Sequence, residues 1–257
     1  MRIDALSLDF FRNYVHLDAV FDPNINVIYG DNAQGKTNLL EAVAYLSGVS
    51  HRARYDKGLI GFGVDHAFLK GTVFSREREF ILEAELHRGA RRVLRSNGVK
   101  LKNGGELAGI FQSVLFCPED LYLIREGAAA RRSFLDECIS QLRPRYALAL
   151  AEYKRLHEHK IRILRDSEEK PSLLDALDEF SMGMAKAGAL LIHYRAHFIK
   201  RLCQTAPAIH GDFSGNREQL TLKYETVSTV TDPEAGPQVI YRQLLEHQEA
   251  HRAAEIA

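Results

Sequence analysis

The chain opens in alternation. Leu6, Leu8 and Phe10 are separated by Ser7 and Asp9, the period of two expected of a strand with one buried face. A second strand is expected over residues 15–21, and a third, short and mostly apolar, over 25–29, ending at Gly30. From Lys36 to Leu46 the period lengthens, and Leu39, Leu40, Val43 and Ala44 fall on one face of a helix. Past residue 66 the alternation returns. Residues 67–74, 78–87 and 91–101 read as strands, with Phe80, Leu82, Ala84 and Leu86 in clean alternation. Arg88-Gly89 and Asn97-Gly98 separate them, and Asn-Gly is the preferred pair for a two-residue hairpin. The pattern predicts an antiparallel meander. Residues 113–116 read as one more buried strand, closed by Cys117-Pro118.

The pattern then turns helical. Phe134, Leu135, Cys138, Ile139 and Leu142 mark one helix. Pro144 suits the first turn of the next, where a missing N–H costs nothing. That helix carries Tyr146, Leu150, Tyr153, His157, Lys160 and Leu164, and Pro171 breaks it. Leu177, Phe180, Met184, Ala187, Leu191, Tyr194, Phe198 and Leu202 mark a third. Two long helices joined by a polar turn at 166–170 predict an antiparallel hairpin, read as a helical arm. A strand is expected at 220–224. A last helix begins near Gln238 and is still running at Ala257, so the chain reads as interrupted. The organisation expected is a first lobe over 1–117, a helical arm lobe over 118–210, and a return segment over 211–257.

Composition adds limits. Of 257 residues, 46% are hydrophobic and 26% charged, ordinary for a soluble domain. Formal net charge is zero, so any nucleic-acid site has to be a local patch. Asp4 and Asp9 interrupt the N-terminal apolar residues, which excludes a signal peptide. No run reaches the roughly 18 apolar residues of a membrane span, so no membrane partner is expected. Cys117, Cys138 and Cys203 are odd in number and far apart, which suggests reduced thiols and a cytoplasmic protein.

The chemistry enters at Gly30. Gly30, Asp31, Asn32, Ala33, Gln34, Gly35, Lys36 and Thr37 fit G-x-x-x-x-G-K-[ST] at every position, and Asn38 follows. Glycines allow a tight turn and a close approach of backbone to phosphate. Successive N–H groups form an anion nest, and the helix beginning at Lys36 aims its positive end at it. Lys36 is expected on the β- and γ-phosphates of ATP, and Thr37 on Mg²⁺, a cation that takes oxygen ligands. Hydrolysis needs a second acid at a strand end. Phe134-Leu135-Asp136-Glu137 comes nearest, but its apolar positions are helical, and Leu173-Leu174-Asp175 fails likewise.

Other candidates each carry a plainer reading. Arg88, Arg91, Arg92, Arg95, Lys100 and Lys102 form a basic run without an acid, fit either to track DNA phosphates or to keep an edge ribbon soluble. Lys154, Arg155, Lys160, Arg162 and Arg165 fit a solvated helix face equally well. His51 and Arg52 follow the P-loop helix and could approach the phosphates, or simply favour a helix C-terminus. His247 and His251 lie four apart, but Gln248 stands where the zincin pattern needs Glu.

Taken together, Phe10-Phe11-Arg12-Asn13-Tyr14, the run GDNAQGKTNLLEAV, His51-Arg52, and the run from Cys117, CPEDLYLIREGAAARRSFLDECISQLRPRYALALAEYKRL, resemble the RecF family. These are bacterial recombinational repair proteins with an ATPase head like that of SMC-type proteins. The likeness extends along nearly the whole chain. The P-loop is generic; Pro118-Glu119-Asp120-Leu121 followed by Arg131-Arg132 and Phe134-Leu135-Asp136 is more specific. The resemblance implies an α/β fold, a P-loop ABC/SMC-type ATPase head with a mixed sheet, an antiparallel β subdomain and a helical arm lobe. It implies ATP and Mg²⁺ as ligands, slow hydrolysis and an ATP-dependent homodimer. It further implies binding to single-stranded, gapped or junction DNA, loading of recombinase with RecO and RecR, and a part in the SOS response. It places Arg12 and Asn13 where SMC-like heads contact nucleotide. The family's signature motif and acidic catalytic strand are expected after Ala257, so neither turnover nor dimerisation is expected of this chain alone. Where such heads often carry a Gln after the strand ending at Phe116, Cys117-Pro118-Glu119-Asp120 stands, and Gln112 comes too early. The alternative is a P-loop small-molecule kinase. Such kinases usually place the P-loop at the first strand, whereas two strands precede it here.

Overall fold

The alternating segments form one antiparallel sheet in a computed structural model that describes residues 1–48, 56–102, 104–107 and 109–256. Its strands are β1 (Arg2–Phe11), β2 (Tyr14–Val20), β3 (His66–Ser75), β4 (Arg78–His87), β5 (Val93–Ser96) and β6 (Val99–Lys100), in the order β2-β1-β3-β4-β5-β6. Asn97 and Gly98 both have positive φ, 51° and 76°, as the two-residue turn between β5 and β6 requires. Leu6 and Leu8 from β1, Leu69 and Val73 from β3, and Leu82, Ala84 and Leu86 from β4 point to one face. Helix α1 (Lys36–Leu46) lays Leu39, Ala42, Tyr45 and Leu46 into the same core.

The parity expected of β1 fails at its end. Phe10 takes a φ of 53°, which turns the next residue inward, and Phe11 rather than Phe10 is buried. On α1 the face shifts by a residue. Leu40 is exposed, while Ala42, Tyr45 and the carboxylate of Glu41 are inside.

Three expected strands are absent among the described residues. Residues 25–29 run without a ladder and expose their apolar side chains, Tyr29 to 90%. Asp22, Asn24 and Asn26 satisfy one another in a tight turn where this stretch begins, and no described strand pairs with residues 25–29. Residues 113–116 are likewise unpaired, and Val114 is fully exposed. Residues 220–224 form no ladder either; Cys203 of the long fourth helix donates its thiol to the carbonyl of Leu222. A strand exists only through its neighbour, because an extended segment has no internal hydrogen bonds.

The chain divides into two units, Met1–Pro144 and Arg145–Ala257. The division falls at residue 144 rather than 117 because α2 (Ala128–Leu142) is tied to the first unit. Gln141 accepts from the Gln112 side chain through its carbonyl and from the Ser113 N–H through its side chain. Asp136 and Glu137 lie on this helix, as the periodicity predicts.

The second unit is helical. Helix α3 (Pro144–Asp166) does begin at the proline, and α4 (Leu177–Ser214) runs on through Pro207. Tyr146 meets Tyr194 and Arg195, and His159 meets Phe180. A side chain on Gly188 would touch Tyr153, and one on Gly183 would touch Leu156. As the number rises on α3 it falls on α4, so the pair is the expected antiparallel hairpin. Helix α5 (Pro237–Ile256) packs on α4 through Ile240 against Ala189 and Ile192. Lys160 is no surface cation: it is buried and paired with Glu255 at 2.7 Å.

Gly71 of β3 lies close against Leu46 of α1. A Cβ there would lie 2.4 Å from Cδ1 of Leu46. Gly71→Ala should therefore cost about 1–3 kcal/mol by overpacking. The denaturant midpoint of the first unit should fall, and an unchanged midpoint would mean that Leu46 moves aside freely.

Candidate nucleotide-binding site

The P-loop joins exposed backbone to the first turn of α1. Gly30, Ala33 and Gly35 have φ of 142°, 66° and 100°, left-handed geometry that turns successive peptide groups toward one side. Asp31, Asn32, Ala33, Gln34 and Thr37 are exposed. Gly35 caps the helix without any side-chain hydrogen bond, and no acid stands in the first turn. The N-terminal N–H groups of α1 thus keep their affinity for an anion. Lys36 extends back across the loop and donates to the carbonyls of Gly30 at 2.8 Å and Asp31 at 2.6 Å. Its ammonium therefore lies where the loop closes.

The donor set fits a polyphosphate. It offers N–H groups, one ammonium and one exposed hydroxyl, on a loop with no acid except the outward Asp31. Thr37 supplies the oxygen a hard cation would take. Among the described residues no group of three acids, histidines or cysteines could hold a metal alone.

The tip of the first hairpin is laid against this loop. Tyr14 donates its hydroxyl to the carbonyl of Gly35 at 3.1 Å. Asn13 accepts from the amide of Asn38 at 2.7 Å. Arg12 forms a two-bond fork with Glu41, each bond 2.9 Å. As the hairpin steps through 14, 13 and 12, the helix steps through 35, 38 and 41, the three-residue spacing of one helical face. Arg12 and Asn13 were expected on nucleotide; here both side chains engage α1. Asn38 likewise spends its side-chain amide on Asn13. Tyr14 and Glu41 carried no expectation. Glu41 had a signal, an acid set among the apolar positions of α1 and three residues beyond Asn38.

The six basic residues of the run differ in what their side chains meet. Arg88 donates to the carbonyls of Val64 at 2.6 Å and Gly61 at 2.9 Å. Arg92 reaches the Tyr45 hydroxyl at 2.8 Å and Asp56 at 3.1 Å. Arg95 pairs with Glu85 at 2.6 Å. Arg91, Lys100 and Lys102 are exposed, as is Arg88 despite its carbonyl partners. In the second set Arg155 pairs with Glu152, and Arg165 with Asp166. His51 and Arg52 lie outside the described residues. Cys117 opens a short turn in which its N–H donates to Asp120 at 2.6 Å. The three cysteines form no disulfide, and burial pushes the Cys138 thiol up to about 11.

An AAA domain family model matches residues 5–180. The chain is 40% identical over 227 residues to the DNA replication and repair protein RecF of Agathobacter rectalis, covering 88% of this chain and 62% of that protein. It is 35% identical to RecF of Lachnospira eligens over 235 residues, covering 90% and 65%. Two solved structures of the recombination mediator protein RecF in the RecFOR pathway superpose closely. RecF-ATPrS gives a TM-score of 0.88 and RecF-ATP 0.84, each at 29% identity and 99% of this chain, covering 68% and 69% of theirs. The chain thus spans somewhat under two thirds of the length of these curated relatives.

The fork between Arg12 and Glu41 can be weighed by a double-mutant cycle. Glu41 is 3% exposed and Arg12 28%, so Arg12→Ala strands a carboxylate. It should cost roughly 3 kcal/mol, the low end for a buried pair, because Arg12 itself is partly exposed. Adding Glu41→Gln should recover part of the loss in equilibrium unfolding; strictly additive costs would mean the fork carries no coupling.

Proposed function

This chain belongs to the AAA-domain family and within it to the RecF family, and we propose on that premise that it is the ATP-binding head of a DNA replication and repair protein. The observation that carries the reading is the P-loop: an uncapped helix N-terminus, three left-handed residues, an ammonium across the loop and an exposed threonine hydroxyl. In this reading residues Gly30 to Asn38 cradle the phosphates by backbone N–H groups. Lys36 exchanges its carbonyl partners for phosphate oxygens, trading neutral acceptors for charged ones. Thr37 would hold Mg²⁺ through its hydroxyl, and the bound cation would neutralise phosphate charge.

The finer parts of the role come from the same family. DNA is the macromolecular ligand, met at single-stranded, gapped or junction sites. RecO and RecR are the protein partners in recombinase loading and the SOS response, in the cytoplasm, and ATP is the ligand that brings two whole proteins together. On this chain the DNA contact centres on Arg91, Lys100 and Lys102, because Arg88, Arg92 and Arg95 already have carbonyl, hydroxyl or carboxylate partners within the chain.

Lys36→Ala should weaken Mg-ATP binding at least tenfold in isothermal titration, since it removes a charged hydrogen bond. Equal affinity in the variant would remove the P-loop as the site. For DNA, Arg91→Glu, Lys100→Glu and Lys102→Glu together should lower affinity and flatten the salt dependence by up to about three ions. An unchanged slope would leave these residues as a solvated edge.

A further inference from the structure

Two residues of the hairpin tip, Tyr14 and Asn13, touch the start of α1 at Gly35 and Asn38. We propose that Tyr14 and Asn13 are positioning residues that set the orientation of the first peptide group of α1, and through it the anion nest. This inference rests on the P-loop being the nucleotide site.

The peptide unit is the starting point. The carbonyl of Gly35 and the N–H of Lys36 belong to one rigid plane. Holding that carbonyl fixes the direction of that N–H, the first of the helix. The Gly35 carbonyl accepts from the Leu39 N–H at 3.0 Å, as any helix would arrange, and also from the Tyr14 hydroxyl at 3.1 Å. The second bond comes from outside the helix and prevents the plane from tilting about its own ladder bond. Burial raises the pKa of the Tyr14 hydroxyl, so it remains a donor at neutral pH.

Asn13 closes the other side. A Cβ on Gly35 would lie 2.6 Å from its Oδ1, 2.7 Å from its Nδ2 and 3.0 Å from Cζ of Tyr14. The hairpin tip therefore sits flush on the α-carbon of Gly35. That contact and the left-handed φ both exclude any larger residue there. Asn38, held by Asn13, fixes the helix one turn further on. The first turn of α1 is thus braced by the hairpin tip, while Asp31, Asn32, Ala33 and Gln34 of the loop stay exposed.

A brace of this kind acts on the phosphates alone. Tyr14→Phe keeps the ring and removes only the hydroxyl. It should weaken Mg-ATP and inorganic tripolyphosphate with Mg²⁺ by the same factor, about three- to tenfold, while the melting temperature stays close to that of the unaltered protein. Asn13→Ala should behave alike. Unchanged affinity for both ligands would overturn the proposal, whatever happens to the melting temperature. A loss confined to ATP would also overturn it, because Tyr14 would then touch the nucleoside directly. Lys36→Ala run alongside separates the two claims. If the unaltered protein and Lys36→Ala bind ATP equally, the P-loop reading itself fails. If Lys36→Ala loses binding and Tyr14→Phe does not, the P-loop reading stands and the brace falls.

Discussion

A buried carboxylate needs a partner, and in the first unit that need fixes the site. Glu41 points into the sheet–helix interface, and Arg12 meets it with a two-bond fork from the tip of the first hairpin. The position of Arg12 is itself held, its N–H bonded to the Leu59 carbonyl. Because the fork is directional, α1 can neither slide nor rotate against β1 and β2 without stranding a charge. The start of the helix, and the loop that precedes it, inherit that fixed position. Apolar packing of Leu39, Ala42 and Leu46 supplies most of the burial, but it is non-directional and would tolerate a small shift.

The same economy governs the other charges. Arg92 joins α1 to the sheet by meeting both Tyr45 and Asp56, and Arg88 gathers the loop carbonyls of Val64 and Gly61. These arginines satisfy polar groups that would otherwise be buried alone. A basic run in sequence thus becomes, in space, three arginines tied to groups of the chain and three exposed cations, Arg91, Lys100 and Lys102.

Much of this was legible in the sequence, for a definite reason. Alternation along β3 and β4, the Asn97-Gly98 turn, Pro144 at a helix start and the long helical hairpin are local signals, and local rules decided them. The P-loop helix was legible because pattern and context coincide within a dozen residues. What could not be read depends on distant partners. Residues 25–29 and 113–116 have strand composition, yet ladders need neighbours that composition does not name. Phe10 and Phe11 exchange places because a single left-handed residue inverts the parity. Lys160 reads as solvated until Glu255 arrives from the other end of the unit. Arg12 and Asn13 were legible as important but not as to what they touch, since Glu41 and Asn38 become their partners only after the hairpin folds over the helix.

The central claim is that nucleotide enters a loop whose backbone is already arranged to receive it. Amide hydrogen exchange with and without ATP and Mg²⁺ tests this most directly. The account predicts added protection confined to the backbone from Gly30 through Leu39, with exchange in β1, β2 and Arg145–Ala257 nearly unchanged. Protection appearing elsewhere with none in the P-loop, or a broad slowing across the first unit that signals folding on binding, would contradict it.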